Sequence, residues 1–157
     1  MPFWRWFSLL WLAWGAGLPA AQAQVPPLLP GHWELRQISF VANQTVPPDI
    51  LERMDNPEVA TLNQEMARGA AQLLVEFRAE GTYRFTVVRA GQPSHTENGT
   101  YSVAAKTLLA QSPGTASGSS FDRQQVLVLT RRRLVLQFLV GEELPGVMEE
   151  LEYRRVP

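Results

Sequence analysis

Apolar and polar residues alternate with a period of two from residue 72 onward. The clearest case is the segment in which Tyr83, Phe85 and Val87 alternate with threonine and arginine. Because successive side chains of a strand point to opposite faces, this alternation predicts half-buried strands. Together with one earlier strand, the pattern predicts eight strands, at 32–41, 72–78, 82–87, 95–103, 106–110, 121–130, 133–140 and 147–156.

Two of these strands carry features that bear on their faces. In the first, every second residue from Trp33 to Val41 is expected to share one face, with Ile38 and Phe40 on the other. In the fourth, Gly99 interrupts the run and predicts a β-bulge, because glycine in a strand often marks an extra, unpaired residue.

The segment between the first two predicted strands has helical spacing instead. Ile50 and Met54 are four residues apart, just after Pro48, which is tolerated in the first turn of a helix. Asn56 is a suitable N-cap for a second helix, with a proline directly after it. We therefore predict two short helices joined almost without a loop; the apolar stripe of the second comprises Val59, Leu62, Met66 and Ala70.

Strands that follow one another through short turns predict an antiparallel meander. A meander with one apolar face must cover that face, and closure into a barrel covers it while removing both sheet edges. A sandwich of two sheets also satisfies the pattern, and we prefer the barrel. The predicted fold is mainly β: an eight-stranded antiparallel up-and-down barrel with two short helices between the first and second strands.

The first 23 residues have the three parts of a secretory signal peptide. Arg5 supplies a positive charge, residues 7–18 are apolar, and Ala21-Gln22-Ala23 fits a cleavage site. Twelve helical residues span roughly 18 Å, which is too short for a membrane anchor across a hydrocarbon core of roughly 30 Å. We predict a cleaved signal peptide at 1–23, a Pro-rich segment at 24–30 and the barrel domain at 31–157, with no integral membrane segment after cleavage.

Composition narrows the class of protein further. The chain has 14 Lys and Arg against 15 Asp and Glu, and this balance argues against nucleic-acid binding, which usually leaves a basic stripe. The absence of cysteine excludes disulfides, thiol nucleophiles and cysteine zinc sites. An exported chain without cysteine is typical of a bacterial protein, either periplasmic or secreted.

The sequence offers little for catalysis or for a cofactor. Its two histidines, His32 and His95, are far apart, and the adjacent Ser94 and His95 would point to opposite faces of a strand. Two histidines without cysteine do not form the common zinc patterns, and no phosphate-binding glycine loop is present. We predict that the protein is not an enzyme and has no metal site, catalytic residues or cofactor.

Short motifs follow one another in a fixed order along the chain: Gly31-His32-Trp33, Phe77-x-x-x-Gly81-Thr82-Tyr83, Gly99-Thr100-Tyr101-x-Val103, Leu129-Thr130 with Leu134-x-Leu136, and Tyr153-Arg154-Arg155. These motifs and their order resemble those of bacterial lipocalin-like domains in the lipocalin and calycin superfamily. The resemblance implies that Trp33 plugs the closed end of the barrel and stacks on a basic side chain of the last strand. We assign Gly31, Trp33 and Arg154 to this structural motif, with Arg155 as the alternative partner.

Two features depart from that resemblance. The helix pair is similar to the lid of fatty-acid-binding proteins, but those barrels hold a carboxylate with Arg-x-Tyr on the last strand, where this chain has Tyr153-Arg154-Arg155. The long helix that typical lipocalins place before the final strand also has no counterpart.

Aromatic residues on the apolar faces of separate strands would converge inside a closed barrel. These candidates for lining a ligand-binding lumen are Tyr83, Phe85, Tyr101, Phe138 and Tyr153. They suit a small hydrophobic or amphipathic ligand, with the helix pair or the loop at 111–120 as a lid, or they simply fill the core. The alternative function is an envelope scaffold with a solid core that binds a protein partner through loops, such as the tip at 131–133.

Overall fold

The computed structural model describes residues 24–42, 45–116, 118–142 and 144–157. The predicted signal peptide lies outside the described residues. Within these ranges, no helix is both long enough and apolar enough to cross a membrane.

Eight antiparallel strands form a closed barrel in sequence order. Strand β1 pairs with β2 on one side and with β8 on the other, so that the ring has no free edge. This confirms the predicted barrel rather than the sandwich. The strands are β1 (Gly31–Ala42), β2 (Ala71–Phe77), β3 (Thr82–Arg89), β4 (His95–Ala104), β5 (Thr107–Gln111), β6 (Gln124–Leu129), β7 (Arg133–Leu139) and β8 (Val147–Val156).

Two helices, α1 (Pro48–Met54) and α2 (Pro57–Ala67), lie between β1 and β2 as predicted. The side chain of Asn56 accepts hydrogen bonds from the backbone N–H groups of Glu58 and Val59, at 2.9 and 3.2 Å. These are two of the donors that the first turn of a helix leaves without partners, which explains why α2 begins here.

The predicted faces of β1 are wrong beyond Leu35. The β1–β8 register shifts between Leu35 and Gln37, where β1 has one more residue than β8. Because a shift of one residue exchanges the two faces of a strand, Ile38 and Phe40 join Trp33 on the inner face. The apolar positions of β1 switch from odd numbers, Trp33 and Leu35, to even numbers from Ile38 onward, in agreement with this shift.

Gly99 does not mark a bulge, because the β3–β4 register runs without interruption past it. Gly99 lies opposite Tyr83, and a Cβ at this position would overlap the carbonyl oxygen of Gln111 and lie 2.6 Å from the Tyr83 ring. The glycine is therefore required by the close approach of a tyrosine ring and a neighbouring strand.

Strand β6 is shorter than predicted at its start. It begins at Gln124, and the preceding residues, including Phe121, form turns. Arg123 has a φ of 58°, a left-handed conformation that a continuous strand does not contain. This change releases Phe121 from the wall of the barrel and lets it pack into the interior, where it is 1% exposed.

The barrel has two different ends. We call the end where β1 begins and β8 finishes the closed end, and the opposite end, which carries α1 and α2, the mouth. The main core cluster runs from Trp33 at the closed end to Met66 of α2 at the mouth. A smaller cluster under α1 joins Val46 and Ile50 to Val147 of β8.

Candidate functional site

Trp33 seals the closed end of the barrel. Its side chain is fully buried, and the indole Nε1 donates a hydrogen bond to the carbonyl oxygen of Leu29 at 2.8 Å. The guanidinium of Arg155 lies 4.2 Å from the centre of the Trp33 ring, within the range of a cation–π contact. The predicted plug is therefore present in the structure.

Arg155, and not the assigned Arg154, is the partner of Trp33. Arg155 also donates to the carbonyl oxygens of Pro30 and Arg131, at 2.8 Å each, and to that of Leu28. A Cβ at position 31 would overlap the Arg155 guanidinium, which explains the glycine that opens the motif.

The register gives the physical reason for this correction. Trp33 pairs directly with Arg155 across β1 and β8, and paired residues share a face. Arg154 therefore points outward, where its Nη2 lies 3.0 Å from Glu152 and more than half of its side chain is exposed.

The five predicted lumen residues all lie on inner-face positions of the barrel, but in two environments. Tyr83, Tyr101 and Tyr153 are at most 5% exposed, and Phe85 and Phe138 are half-buried. The Tyr101 hydroxyl donates to the carbonyl oxygen of Arg78 at 2.7 Å, and burial raises its pKa to about 12. The tyrosines thus belong to the packed lower interior, and the two phenylalanines lie nearer the mouth.

Phe121 fills the interior from the loop between β5 and β6. Its ring centre lies 5.2 Å from that of Phe85, 5.3 Å from that of Tyr83 and 5.6 Å from that of Phe77, all with edge-to-face geometry. Such contacts stabilise aromatic pairs beyond the area that they bury. The loop that was predicted to be a lid therefore also acts as a plug.

A buried carboxylate, Glu97, holds the same loop from below. It is 4% exposed and accepts hydrogen bonds from the backbone N–H of Ser120 at 3.0 Å, from the Ser120 hydroxyl at 2.6 Å, and from the hydroxyl of Tyr83. Burial acts to raise the pKa of Glu97, but the bonds from Ser120 and Tyr83 outweigh it, and the pKa lies below its usual range. Burial and the Glu97 bond raise the pKa of Tyr83 to about 12.

Sequence reasoning missed Glu97, although a signal was available. Along β4, Glu97 lies an even number of positions from Tyr101 and Val103, so all three side chains point to the same, apolar face. A carboxylate at such a position is buried only when several donors surround it, as Tyr83 and Ser120 do here.

Helix α2 covers part of the mouth. Val59 and Leu62 are half-buried against the main core, and Met66 is 6% exposed. The amide of Asn63 exchanges two hydrogen bonds with the backbone of Ile38, at 2.8 and 2.9 Å. These contacts attach the helix to β1.

An ion pair fastens the other side of the helix. Glu65 accepts two hydrogen bonds from Arg89 at the end of β3, at 2.6 and 2.9 Å, and these bonds lower the pKa of Glu65. Both side chains are partly exposed, so solvent screens the pair and it contributes little to stability.

Some inner-face side chains beneath this helix are only partly buried. The register puts Leu73, Phe85 and Val87 on the inner face of β2 and β3, and all three are half-buried. A pocket of about 600 Å³ lies at the rim, between α2 and the end of β3; it is lined by Pro57, Glu58, Val59, Thr61, Leu62 and Arg89. A second groove, of about 590 Å³, lies at the closed end between the Pro-rich segment and β4 to β6.

A second carboxylate, Glu149, lies on the inner face near the mouth. It pairs with Phe40 of β1 on one side and with Phe138 of β7 on the other. Burial raises the pKa of Glu149. Along β8, Glu149 lies an even number of positions from Leu151 and Tyr153, so the sequence alone would have placed its side chain on their inner face.

The two histidines are exposed, His32 at the start of β1 and His95 at the start of β4. These strand starts lie at opposite ends of the barrel, so the structure does not bring the two side chains together. Within the described ranges, no group of three His, Asp or Glu side chains is placed to hold a metal ion.

No protein-family model and no curated protein matches the sequence. Among solved structures, the chain is similar to the crystal structure of a lipocalin-like protein from Bacteroides uniformis ATCC 8492. The TM-score is 0.50 at 14% sequence identity, over 82% of this chain and 99% of that one. At this identity the likeness concerns the fold. The chain therefore has a lipocalin-like fold, as its motifs predicted.

Proposed function

We propose that the protein is an exported, non-catalytic barrel protein that binds a small hydrophobic or amphipathic molecule in its upper interior. The observation that carries this proposal is the contrast in burial along the inner face. Residues at the closed end, such as Trp33 and Tyr153, are at most 2% exposed, whereas Phe85, Val87 and Phe138 near the mouth remain half-buried.

The dimensions and chemistry of the mouth support the proposal. A pocket of about 600 Å³ is within the usual range for small-molecule sites, which are mostly apolar with a few polar groups. The side chains of Val59 and Leu62 supply apolar surface to it, and Glu58 and Arg89 supply charge. Binding would be driven by removal of ligand and inner-wall surface from water.

Helix α2 is the proposed lid. Besides the packing of Val59, Leu62 and Met66 on the core, it is held at the rim by the Asn63 amide and the Glu65–Arg89 pair. Polar attachments of this kind can be exchanged for water at small cost, which allows the helix to move aside when a ligand enters.

Two adjacent valines of β3 provide a matched test. Val87 faces inward and Val88 is 42% exposed on the outside, so V87W fills the upper interior and V88W does not. The probe is N-phenyl-1-naphthylamine, which is neutral at pH 7 and fluoresces in apolar sites. We expect V87W to abolish probe binding and V88W to leave it within twofold of the original protein. Equal binding by both variants, or none by the original protein, would contradict the proposal.

Export is tested separately. The protein is expected to leave the cytoplasm of its bacterial host and to begin at Gln24 after cleavage. N-terminal sequencing and native mass spectrometry of protein purified from the cell envelope and medium report the cleavage site and any small molecule that is carried along.

A scaffold that binds a protein partner is the second candidate function. The packed lower interior favours it, as does the hairpin tip, where Arg131 and Arg132 are exposed and form no salt bridge within the described ranges. Reversal of both charges, R131E with R132E, is expected to abolish partner capture if the tip is the interface. Unchanged capture of the partner by this variant would show that the tip is not the interface.

A further inference from the structure

The inner wall near the mouth carries an acidic side chain between two aromatic rings. Glu149 pairs with Phe40 and with Phe138, and directly paired side chains on one face of a sheet are nearest neighbours. Phe40 packs on the small cluster under α1, and Phe138 packs on the main core. The carboxylate therefore lies at the seam between two apolar clusters.

Within the ranges that the structure describes, no side chain neutralises this carboxylate. Within the described part of the chain, Glu149 forms neither a salt bridge nor a side-chain hydrogen bond. The neighbouring Glu150, which points outward, accepts a bond from Gln137 at 2.8 Å. The raised pKa of Glu149 has burial as its sole cause, which agrees with the lack of a cation beside it.

A second acceptor without a partner lies on the same wall. Gln124 pairs with Leu108 of β5, which is fully buried inside the barrel, so Gln124 also faces the interior. Gln124 is 4% exposed and its Nε2 donates to the carbonyl oxygen of Ser120 at 2.7 Å, but its buried Oε1 has no hydrogen-bond partner in the described residues. A buried acceptor of this kind costs free energy until a donor reaches it.

The basic side chains on the inner face do not compensate for these acceptors. Arg89 is paired with Glu65 at the rim, and Arg155 is bound to backbone carbonyls at the closed end. Glu97 adds a further buried carboxylate. The inner wall near the mouth thus presents negative charge, acceptor oxygens and aromatic rings.

We propose that the ligand is an amphipathic amine, whose ammonium group is held by Glu149 between Phe40 and Phe138 and whose apolar part fills the upper interior. This inference rests on the proposed function and specifies its ligand class. The ammonium supplies the charge and the N–H donors that the wall lacks, and the two rings add cation–π attraction. A carboxylate head group would instead meet an unpaired carboxylate in a partly dehydrated wall, where like charges repel strongly.

Three ligands of one chain length test the head group: decylammonium, decanol and decanoate at pH 7, each below its micelle concentration. Each displaces N-phenyl-1-naphthylamine from the full mature chain. We expect decylammonium to bind roughly tenfold more tightly than decanol, the difference that one partly buried, charge-assisted bond supplies, and decanoate to bind most weakly.

Two neighbouring carboxylates provide the control. E149Q removes the inward charge and is expected to weaken decylammonium roughly tenfold, to the level of decanol, without changing decanol itself. E150Q removes the outward charge and is expected to change every ligand by less than twofold. Because E149Q removes a desolvated charge, it is expected to fold at least as stably as the original protein, which thermal unfolding checks.

The measurements distinguish a failure of the proposed binding function from a failure of the amine assignment. If the probe does not bind at all, the proposed function fails. If the probe binds but the three head groups are equivalent, if decanoate binds best, or if E149Q and E150Q behave alike, lumen binding stands and the amine assignment is overturned.

Discussion

The closed end and the mouth of the barrel are built from the same alternating strands but differ in how their inner polar groups are satisfied. At the closed end, the Trp33 indole donates to Leu29 and the Arg155 guanidinium donates to three carbonyl oxygens. At the mouth, Glu97 accepts bonds from Ser120 and Tyr83, but within the described residues Glu149 has no salt bridge or side-chain hydrogen bond and the Oε1 of Gln124 has no partner. Complete pairing gives rigidity, whereas unpaired groups beside half-buried rings are where a ligand gains most.

The largest effect is expected from W33A. Removal of a fully buried tryptophan leaves a cavity and is expected to lower the free energy of unfolding by about 3–5 kcal/mol. L62A at the mouth removes a half-buried side chain and is expected to cost about 1 kcal/mol or less. Denaturant unfolding measures both. Equal costs would remove the distinction between the two ends.

R155K is expected to cost about 1.5–3 kcal/mol, because lysine cannot present a planar fork to three carbonyl oxygens and to the Trp33 ring. The matched variant R154K changes an outward, partly exposed residue and is expected to stay within about 0.5 kcal/mol. Urea unfolding of the pair measures the difference. A larger loss of stability in R154K than in R155K would mean that Arg154, as predicted from the sequence, is the partner of Trp33.

The two inner carboxylates are expected to respond to pH in opposite directions. The folded-state pKa of Glu97 is lowered, so its contribution is present above the unfolded pKa near 4.5 and is lost as pH falls through the folded value. The folded-state pKa of Glu149 is raised, so its ionisation destabilises the fold as pH rises above the unfolded value.

At pH 7, E97Q is therefore expected to destabilise the protein by about 1–3 kcal/mol, and E149Q is expected to stabilise it. Both differences should shrink towards pH 3, where the carboxyl groups become protonated. Thermal unfolding from pH 3 to pH 8 follows them, and a parallel pH response of the two variants would be inconsistent with this account.

A small effect on stability is expected from E65Q. The Glu65–Arg89 pair is solvent-screened, so its loss changes stability little, but it fastens the proposed lid. We expect entry and release of the neutral probe to become faster in stopped-flow measurements, whereas E76Q, in another partly exposed ion pair on β2, leaves them unchanged. An unchanged rate in E65Q would show that the helix does not control access.

Most of the wall of the barrel could be predicted from the sequence. Alternation located all eight strands, and the Asn56-Pro57 pair located the start of α2, because these signals depend on neighbouring residues only. The order of short motifs predicted the lipocalin-like fold and the role of Trp33 as a plug. The five predicted lumen residues lie on inner-face positions, because alternating residues of a strand point to opposite faces.

The sequence did not reveal how far the interior is filled. Phe121 was assigned to the start of a strand, but a left-handed Arg123 turns it into the core. The face of Phe40 depends on the register shift after Leu35, which the predicted single alternation of β1 did not include. Neither Glu97 nor Glu149 was recognised, because a carboxylate in an otherwise polar stretch is normally solvated.

Local spacing and composition predict the strands, the helix pair, the opening Gly31 and Trp33 motif and export. The choice of Arg155, the plug at Phe121 and the isolation of Glu149 follow only from the folded barrel. These depend on which residues lie opposite one another after closure, and a ring of eight strands brings together residues more than a hundred positions apart. Closure thereby converts an alternating pattern into one end sealed by Trp33 and Arg155 and an opposite end partly covered by α2.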